Sequence, residues 1–382
     1  MKINYEVVNK VLDCLLDYEK PVYETDSIEK IFDEIQKTFK DFNINLEKKK
    51  YEIENYFVRY YFYTADKKLL KKVHVFASDV KMRLACTSVR AYAISEKNYV
   101  CFEVTNPQRS SVGLKEMLSE SVARESENGC YAVIGTSKGK PLNVNVCKMP
   151  NVLIAGSAGS GKSILTNEII LSLSARYSPK ELKFLLIDPK GVELSAFEGL
   201  PHLIDNEIIV DAKKIVSAVE YLSNLMSERY STLSLNSVDT IGKYNDKCKD
   251  SNLEVMPRII VIIDEFADLM MANKKTFEKQ ICNLAIKGRA VGIHVILSTQ
   301  RASNDVITKD VRACFPSRIA LRLCNALGSR LLLDVEDAIN LLGCGDLIYK
   351  DQANGKTVRA LAGFVSTKEI KSAVLLLKER YE

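Results

Sequence analysis

The sequence has no long apolar run and no leader-like N-terminus. Its longest apolar stretches, residues 259–263 and 373–377, fall far short of the roughly 18 residues that a membrane-spanning helix needs. Asp13, Asp17 and Glu19 interrupt the stretch that a secretory signal would keep apolar. We therefore expect a soluble protein with no membrane segment in this chain.

Closely spaced metal ligands are also missing. The ten cysteines include no Cys-x-x-Cys pair, and no histidine stands near them in the sequence. Zinc ligands recur at tight spacing, so this distribution argues against a structural zinc site. Unpaired thiols on a chain of this size fit a reducing compartment, and we expect a cytoplasmic protein.

A strong excess of charge of one sign is absent as well. Lysine and arginine number 54 against 49 acidic residues, a net charge of +5. This total permits a nucleic-acid partner but does not argue for one, because a local basic patch matters more than the sum. The 382 residues, 47% of them hydrophobic, suit two or three globular domains.

The first hundred residues predict a small domain of mixed α and β structure. Residues 51–63, 89–94 and 99–104 are rich in β-favouring side chains, and residues 78–85 predict a helix between strands. We expect this α/β domain to comprise residues 1–105. A helical stripe of apolar residues supports it, formed by Ile28, Ile31, Phe32, Ile35 and Phe39.

Residues 106–382 predict a second, larger domain. Its leading segment, residues 106–150, starts with the turn signal Asn106-Pro107, can form a helix over residues 114–127 and resembles a loop over residues 135–141. Beyond residue 150, short apolar runs without alternation separate longer helical stretches. Such runs indicate strands buried on both faces, and hence a parallel sheet covered by helices. They lie at residues 151–155, 183–187, 259–263, 294–297 and 318–321.

A phosphate-binding loop follows the first of these runs. The segment matches G-x-x-x-x-G-K-[ST] at every fixed position, between an apolar strand and a helix-forming stretch. The glycines let backbone N–H groups approach phosphates at a helix N-terminus, Lys162 would neutralise the β and γ phosphates of ATP, and Ser163 would hold Mg²⁺. A Gly-rich strand–helix turn with a chance lysine is the plainer alternative. The motif residues are Gly156, Ser157, Ala158, Gly159, Ser160, Gly161, Lys162 and Ser163.

Two further strand ends complete a nucleotide-hydrolysis pattern. The apolar run 259–263 ends in Asp264, suited to Mg²⁺ through water, and Glu265, suited to orienting and deprotonating the attacking water. Residues 294–298 lead to Gln300, whose amide can contact the γ-phosphate or that water. Solvated strand-end charges, or a turn residue at Gln300, are the alternatives. Together the three elements predict a RecA-like P-loop NTPase.

Several blocks of sequence resemble the motor of FtsK/SpoIIIE DNA translocases. They occur in the family's order from residue 149 to residue 308, and the likeness runs from about residue 26 to the C-terminus. The blocks are residues 149–156, 187–190 with 192–194, 199–203, 264–271, 288–294, 299–301 and 305–308.

The resemblance implies an α domain, a RecA-like β domain, and a hexameric ring around double-stranded DNA with ATP at the subunit interfaces. It implies DNA contacts near Tyr244, Arg301 and Asn304, and an arginine, Arg289, offered to the neighbouring subunit's γ-phosphate. A surface salt bridge at Arg301 and a helix cap at Arg289 are the competing interpretations. The DNA moved would be chromosomal, plasmid or mobile-element DNA, in transfer or segregation.

The chain departs from the family pattern at three positions. Asp239 stands where an arginine is usual, Ala302 where a proline is usual, and Ala326 where a lysine is common. We expect Arg322 or Arg330 to compensate for the missing lysine, or Arg289 to carry more of the role.

The membrane anchor and C-terminal winged helix of many relatives are not found in this sequence. Their absence suggests a small accessory or mobile-element translocase, although a piece of a longer protein would look the same. Two other functions stay open within the fold: an FtsK-like ATPase driving protein secretion, of the EssC type, and a conjugative coupling protein. The secretion ATPases usually occur as tandem modules, whereas this sequence has one P-loop motif.

Overall fold

The residues that the structure describes form two β-sheets, one of four strands and one of ten. The computed structural model describes residues 1, 3–18, 25–54, 57–86, 88–105, 111–122, 129–149, 151–251, 253–352 and 355–381. The turn expected at Asn106-Pro107 lies outside them.

The smaller sheet is antiparallel, in the order β1-β2-β4-β3. Helix α2 packs on it because its apolar stripe faces the sheet: Phe32 meets Phe62 with ring centroids 4.7 Å apart, and Phe39 meets Phe102 at 5.3 Å. The predicted stripe and strands are confirmed. The elements are α2 (Thr25–Asp41), β1 (Glu47–Ile53), β2 (Phe57–Tyr63), α3 (Lys67–Lys72), α4 (Ala77–Leu84), β3 (Val89–Ile94) and β4 (Tyr99–Thr105).

The first helix, α1 (Tyr5–Asp13), packs with the larger sheet. Val7, Val8 and Val11 are buried in the same cluster as the strands of that sheet, and the Asn4 N–H donates to the Arg176 carbonyl at 2.9 Å. We propose residues 25–105 as the extent of the small domain, with α1 as part of the larger one.

The larger sheet has the order β6-β5-β14-β13-β12-β7-β11-β10-β8-β9. Strands β12, β7, β11, β10, β8 and β9 pair in parallel, which confirms the expected parallel sheet. The strands are β5 (Tyr131–Ser137), β6 (Lys140–Asn145), β7 (Asn151–Ala155), β8 (Leu182–Ile187), β9 (Leu203–Ile209), β10 (Arg258–Ile263), β11 (Ile293–Thr299), β12 (Ser317–Leu321), β13 (Asp346–Lys350) and β14 (Thr357–Leu361).

The segment expected to be a loop, residues 135–141, is instead the hairpin of β5 and β6. Ser137 pairs with Lys140, and the two residues between them, Lys138 and Gly139, have φ of 53° and 66°. Two positive φ values are what a tight type I′ hairpin requires, and the glycine supplies one without strain. The glycines and the proline of this segment led to the prediction of a loop, whereas the segment forms two paired strands joined by a tight turn.

Helices cover both faces of the larger sheet and form two hydrophobic clusters. Helices α1, α5 (Leu114–Val122), α6 (Lys162–Arg176) and α12 (Thr367–Tyr381) lie on one face. The other face carries α7 (Ala212–Leu235), α8 (Ile241–Asp250), α9 (Phe266–Lys287), α10 (Lys309–Cys314) and α11 (Ala326–Leu333). None of the described helices has the length and apolar character to cross a bilayer.

A buried charge network joins the small sheet to the large one. Glu103 accepts from Arg59 at 2.8 Å and from Arg359 of β14 at 2.5 Å, and Arg359 also binds both carboxylate oxygens of Asp346. Burial alone would raise the pKa of Glu103, but Arg359, Arg90 and Arg59 outweigh it and lower that pKa to about 2. The carboxylate is therefore charged in the fold, and it ties the two sheets together.

Candidate active site

The P-loop lies at the carboxyl end of β7, the central position between β11 and β12. Gly159 and Gly161 have φ of 71° and 99°, which favour glycine, and a Cβ at Gly161 would lie 2.2 Å from the Gly345 nitrogen. The hydroxyl of Ser160 is buried and has no hydrogen-bond partner among the described residues. The loop therefore has the backbone shape of an anion cradle and one buried polar group still without an acceptor.

A cavity of about 530 Å³ opens over this loop, within the size range of small-molecule sites. Lys162, Glu193 and Gln300 lie among its lining residues, as do Ser157, Ala158, Gly159, Gly161 and Ser163 of the P-loop. Six of the eight predicted P-loop residues thus line one cavity, together with Gln300.

Lys162 is 3% exposed and lies between two other strand ends. Its ammonium donates to Asp264 and, at 3.2 Å, to the Ser298 hydroxyl, which in turn donates to Asp264 at 2.5 Å. A buried ammonium needs such a partner, and phosphate oxygens could take the place of the carboxylate. Lys162 therefore reaches the phosphate end of the cavity from within the fold.

Glu265 lies beside Asp264 but has separate partners. Its carboxylate accepts from the Thr299 hydroxyl at 2.6 Å and from the Gln300 N–H at 3.1 Å, and Lys190 lies 3.7 Å away. Its φ of 50° is unusual for a non-glycine residue and turns the side chain toward β11. The two carboxylates are thus held in different environments, as a division of roles between them requires.

Sequence reasoning assigned no site role to Ser298, Lys190 or Glu193. Asp188, at the end of β8, accepts from the N–H groups of Lys190, Gly191 and Leu194 at 3.1–3.2 Å. These bonds shape the turn that carries Lys190 and Glu193. The strand-then-Asp pattern at residues 183–188 could have indicated this turn. The contact of Ser298 with Lys162 depends on sheet order, which the sequence does not state.

The remaining predicted residues lie outside this cluster. Arg301 and Asn304 are exposed and follow Gln300 at the carboxyl end of β11. Arg289 is exposed in the turn before β11, and Tyr244 is on α8, whose Ile241 packs at Gly292 before the same strand. Within one chain, Arg289 and Tyr244 therefore lie near the amino end of β11, whereas the P-loop and Arg301 lie at the carboxyl ends of β7 and β11.

The competing interpretations of Arg301 and Arg289 differ in the contacts that each arginine should make within a single chain. Arg301 pairs with Asp305 at 2.7 Å, both about half exposed, which is the surface salt bridge considered above. The Arg289 guanidinium makes no hydrogen bond within the part of the chain that the structure describes, so no helix cap is seen there. The Arg322 carbonyl accepts from the P-loop N–H of Ser157 at 2.9 Å, whereas Arg330 pairs with Glu336.

Comparison with known proteins identifies the family. A sequence model described as "FtsK/SpoIIIE family" matches residues 114–304, and one described as "FtsK alpha domain" matches residues 11–106. The chain belongs to the FtsK/SpoIIIE family. The resemblance noted from the sequence blocks and the RecA-like P-loop fold are confirmed.

Particular relatives show the extent of the likeness. "DNA translocase FtsK" of Pasteurella multocida is 40% identical over 328 residues, covering 79% of this chain and 35% of that protein. The chain spans about a third of the length of the first curated relatives it matches.

Among solved structures, the pCW3 conjugation coupling protein TcpA, a monomer with ATPγS, aligns with a TM-score of 0.64 at 21% identity, covering 92% of this chain and 99% of that one. The cytoplasmic domain of the type VII secretion ATPase EccC from Thermomonospora curvata gives a TM-score of 0.62 at 26% identity, with coverages of 70% and 34%. The TcpA likeness supports the fold alone.

Proposed function

We propose that the chain is the ATP-hydrolysing motor of a translocase acting on double-stranded DNA. The observation that carries the proposal is the pair of neighbouring buried carboxylates with separate partners: Asp264 faces Lys162, and Glu265 faces Thr299 and Gln300. Family membership supplies the nature of the work, since the relatives matched at 35–40% identity are named DNA translocases.

Hydrolysis follows from this arrangement. A water oxygen forms a bond to the γ-phosphorus as the bond to the bridging oxygen of ADP breaks, and Glu265 accepts the water proton. Lys162 and the P-loop N–H groups stabilise the charge on the phosphate oxygens. Gln300, whose N–H already holds Glu265, is placed to orient the water or contact the γ-phosphate.

The residues fit a magnesium ion. Ser163 and Lys162 line the same cavity, and Lys162 contacts Asp264, so a hydroxyl and a carboxylate are both available near the phosphate-binding lysine. Hard oxygen donors of this kind suit Mg²⁺, which usually keeps several waters and binds substrate phosphates. We propose Ser163 as a direct ligand and Asp264 as a ligand through water; the ion would offset charge on the phosphates.

DNA contact is proposed at Arg301 and Asn304. The Arg301 N–H donates to the Thr299 hydroxyl at 2.9 Å, and that hydroxyl donates to Glu265. The Thr299 hydroxyl therefore links Glu265 to the Arg301 backbone, so a movement of the Glu265 carboxylate would alter the hydrogen bond that holds Arg301. Its exposed pair with Asp305 is weak enough to be exchanged for a DNA phosphate. Tyr244 is proposed as a further contact, made from the other edge of the sheet.

Subunit assembly is part of the proposal. Arg289 lies at the opposite sheet edge from its own P-loop, so it can act on a γ-phosphate only if that phosphate belongs to another subunit. A homohexameric ring, with ATP at each interface, would bring Arg289 to the neighbouring nucleotide. Its guanidinium would then stabilise the developing phosphoryl charge.

The test compares ATPase rates with linear duplex DNA, single-stranded DNA and unfolded peptide. We expect stimulation by duplex DNA above the other two. Preferential stimulation by peptide would favour the protein-secretion alternative, and preferential stimulation by single strands would favour a conjugative coupling role.

A further inference from the structure

The exposed cysteines of the chain are concentrated at the P-loop. All ten cysteines lie in the described part of the chain, and two of them, Cys324 and Cys344, are exposed, whereas the other eight are buried or half-buried. Cys324 follows β12 and Cys344 precedes β13, and both contact the P-loop. The most accessible thiols of the protein therefore lie beside its phosphate-binding loop.

Cys344 is held against the P-loop by its backbone. Its N–H donates to the Gly159 carbonyl at 3.3 Å, and the N–H of the next residue, Gly345, donates to the Ser160 carbonyl at 2.8 Å. Gly343, Cys344 and Gly345 have φ of 82°, 50° and 96°. The left-handed conformation is uncommon for a residue with a side chain, so this turn is closely constrained. The position of the cysteine relative to the P-loop is therefore fixed before any ligand binds.

The two exposed thiols differ in what they reach. Cys344 lines the cavity of about 530 Å³ over the P-loop, which Lys162 and Ser163 also line. A bulky group attached to its sulfur would occupy space beside the residues that meet the phosphates. The Cys324 thiol instead donates to the Ser157 hydroxyl at 3.0 Å, and Cys324 is not among the described residues that line this cavity. Cys344 is therefore the thiol whose modification would obstruct the cavity.

We propose that Cys344 is a reversible thiol-modification site, at which a mixed disulfide with a small-molecule disulfide blocks nucleotide binding. The inference names a regulation of the proposed function, and it rests on this cavity being the nucleotide site. An anionic modifying group would add negative charge near Lys162, where it would compete with the phosphates of ATP. ATP hydrolysis would thus depend on the thiol–disulfide state of the surroundings.

The chemistry is a thiol–disulfide exchange. The Cys344 thiolate attacks one sulfur of the small disulfide, so a new S–S bond forms as the original S–S bond breaks. The other half of the reagent leaves as a thiolate and takes up the proton that the Cys344 thiol lost. Cys344 is oxidised and the departing half is reduced. Excess thiol reverses the exchange, since such mixed disulfides are reversible caps.

The test treats the protein with glutathione disulfide and then measures equilibrium binding of ATP with Mg²⁺ and without DNA. We expect binding to weaken by about tenfold or more, because the added group occupies the cavity, and to recover after dithiothreitol. Mass spectrometry of the peptide that contains Cys344 measures its modification. Mg²⁺ with ATPγS present during the treatment should slow that modification, because the nucleotide would cover the thiol.

Three variants locate the effect, each compared with its own untreated sample. C344S replaces the thiol by a hydroxyl that cannot form a disulfide, so the treatment should leave its ATP binding unchanged. C324S removes the other exposed thiol and is the matched control, which should remain sensitive. C86S removes a half-buried thiol of the small domain and should remain sensitive as well.

The proposal is overturned if Cys344 is not modified, if its modification leaves ATP binding unchanged, or if treated C344S loses as much binding as the unaltered protein. Sensitivity that disappears in C324S and persists in C344S would likewise overturn the assignment to Cys344. Because no DNA is present, failure here does not affect the comparison of duplex DNA, single strands and peptide that tests the proposed function. Failure of that comparison would in turn leave the thiol result standing.

Discussion

At the scale of single residues, the site depends on charges that are buried before nucleotide arrives. Lys162, Asp264 and Glu265 are each 3–4% exposed. A lone buried charge is costly, so each has a partner in the free chain: Asp264 for Lys162, and Thr299 with the Gln300 N–H for Glu265. Nucleotide binding would then replace one partner of a buried charged group by another, without the cost of first removing water from that group.

Glu265→Gln should separate binding from hydrolysis. The amide keeps the size of the side chain but cannot accept the water proton, so we expect kcat to fall by about 10²-fold or more while ATP still binds. Steady-state ATPase and fluorescent-nucleotide binding measure the two quantities. Glu193→Gln, another cavity carboxylate, serves as the matched control and should retain far more activity. A Glu265→Gln protein that no longer binds ATP would mean that the roles of Asp264 and Glu265 are exchanged.

Lys162→Ala should abolish hydrolysis and weaken nucleotide binding, because it removes the positive charge that meets the phosphates. Among the described residues it also leaves the buried Asp264 carboxylate with the Ser298 hydroxyl as its side-chain partner, so thermal unfolding must be measured alongside. Lys183→Ala, a half-buried strand lysine away from the cavity, is the control. Wild-type turnover in Lys162→Ala would refute the P-loop assignment.

At the scale of elements, the Gly343–Asp346 turn connects the nucleotide loop with the small sheet. Gly345 bonds to Ser160 of the P-loop, and Asp346 binds Arg359, which binds Glu103 of β4. Glu103 is fully buried among three arginines, so its ionisation contributes to stability.

Protonation of Glu103 in acid should therefore make the folded protein less stable. Because its folded pKa is lowered to about 2, its contribution is present above the unfolded value near 4.5 and is lost as pH falls toward 2. The shift corresponds to about 3 kcal/mol. Glu103→Gln should be destabilised at pH 7 and should lose less stability between pH 5 and 3, as measured by chemical denaturation. Glu34→Gln, at an exposed ion pair, should behave like the unaltered protein; equal pH profiles for all three would contradict the assignment.

Elements also show where sequence reasoning succeeds and fails. The strands β7, β10 and β11 were predictable because strands buried on both faces are uninterrupted apolar runs. The hairpin of β5 and β6 was not, because Gly139 and Pro141 indicate a loop until the partner strand is known. The same limit applies to Ser298, since it gains its role from Lys162, a residue distant in sequence.

At the scale of the whole molecule, ATP hydrolysis in the proposed ring requires subunits to complete one another's sites. Arg289→Ala and Lys162→Ala proteins should each lack ATPase activity, yet mixing them should restore part of it if the arginine acts on a neighbour's nucleotide. In a mixed ring, an intact P-loop can face an intact Arg289. Arg83→Ala removes an arginine of the small domain that pairs with Glu34 and Asp41; it is the control and should not need complementation. No recovery at any mixing ratio, with assembly confirmed, would assign Arg289 a structural role.

DNA binding should depend on salt and hardly on sequence, because contacts remade during movement are mainly to phosphates. Arg301→Ala should reduce the slope of log affinity against log salt by about one. Arg380→Ala removes an exposed, paired arginine on α12 and should leave the slope unchanged. Salt-insensitive binding, or a strong preference for one short sequence, would contradict this model.

Movement along duplex DNA is the central claim, and displacement of a triplex-forming oligonucleotide from a linear duplex measures it most directly. We predict ATP-dependent displacement, with a delay that grows with the distance between the DNA end and the triplex, and no displacement by Glu265→Gln. Duplex-stimulated ATP hydrolysis without any displacement would contradict the account.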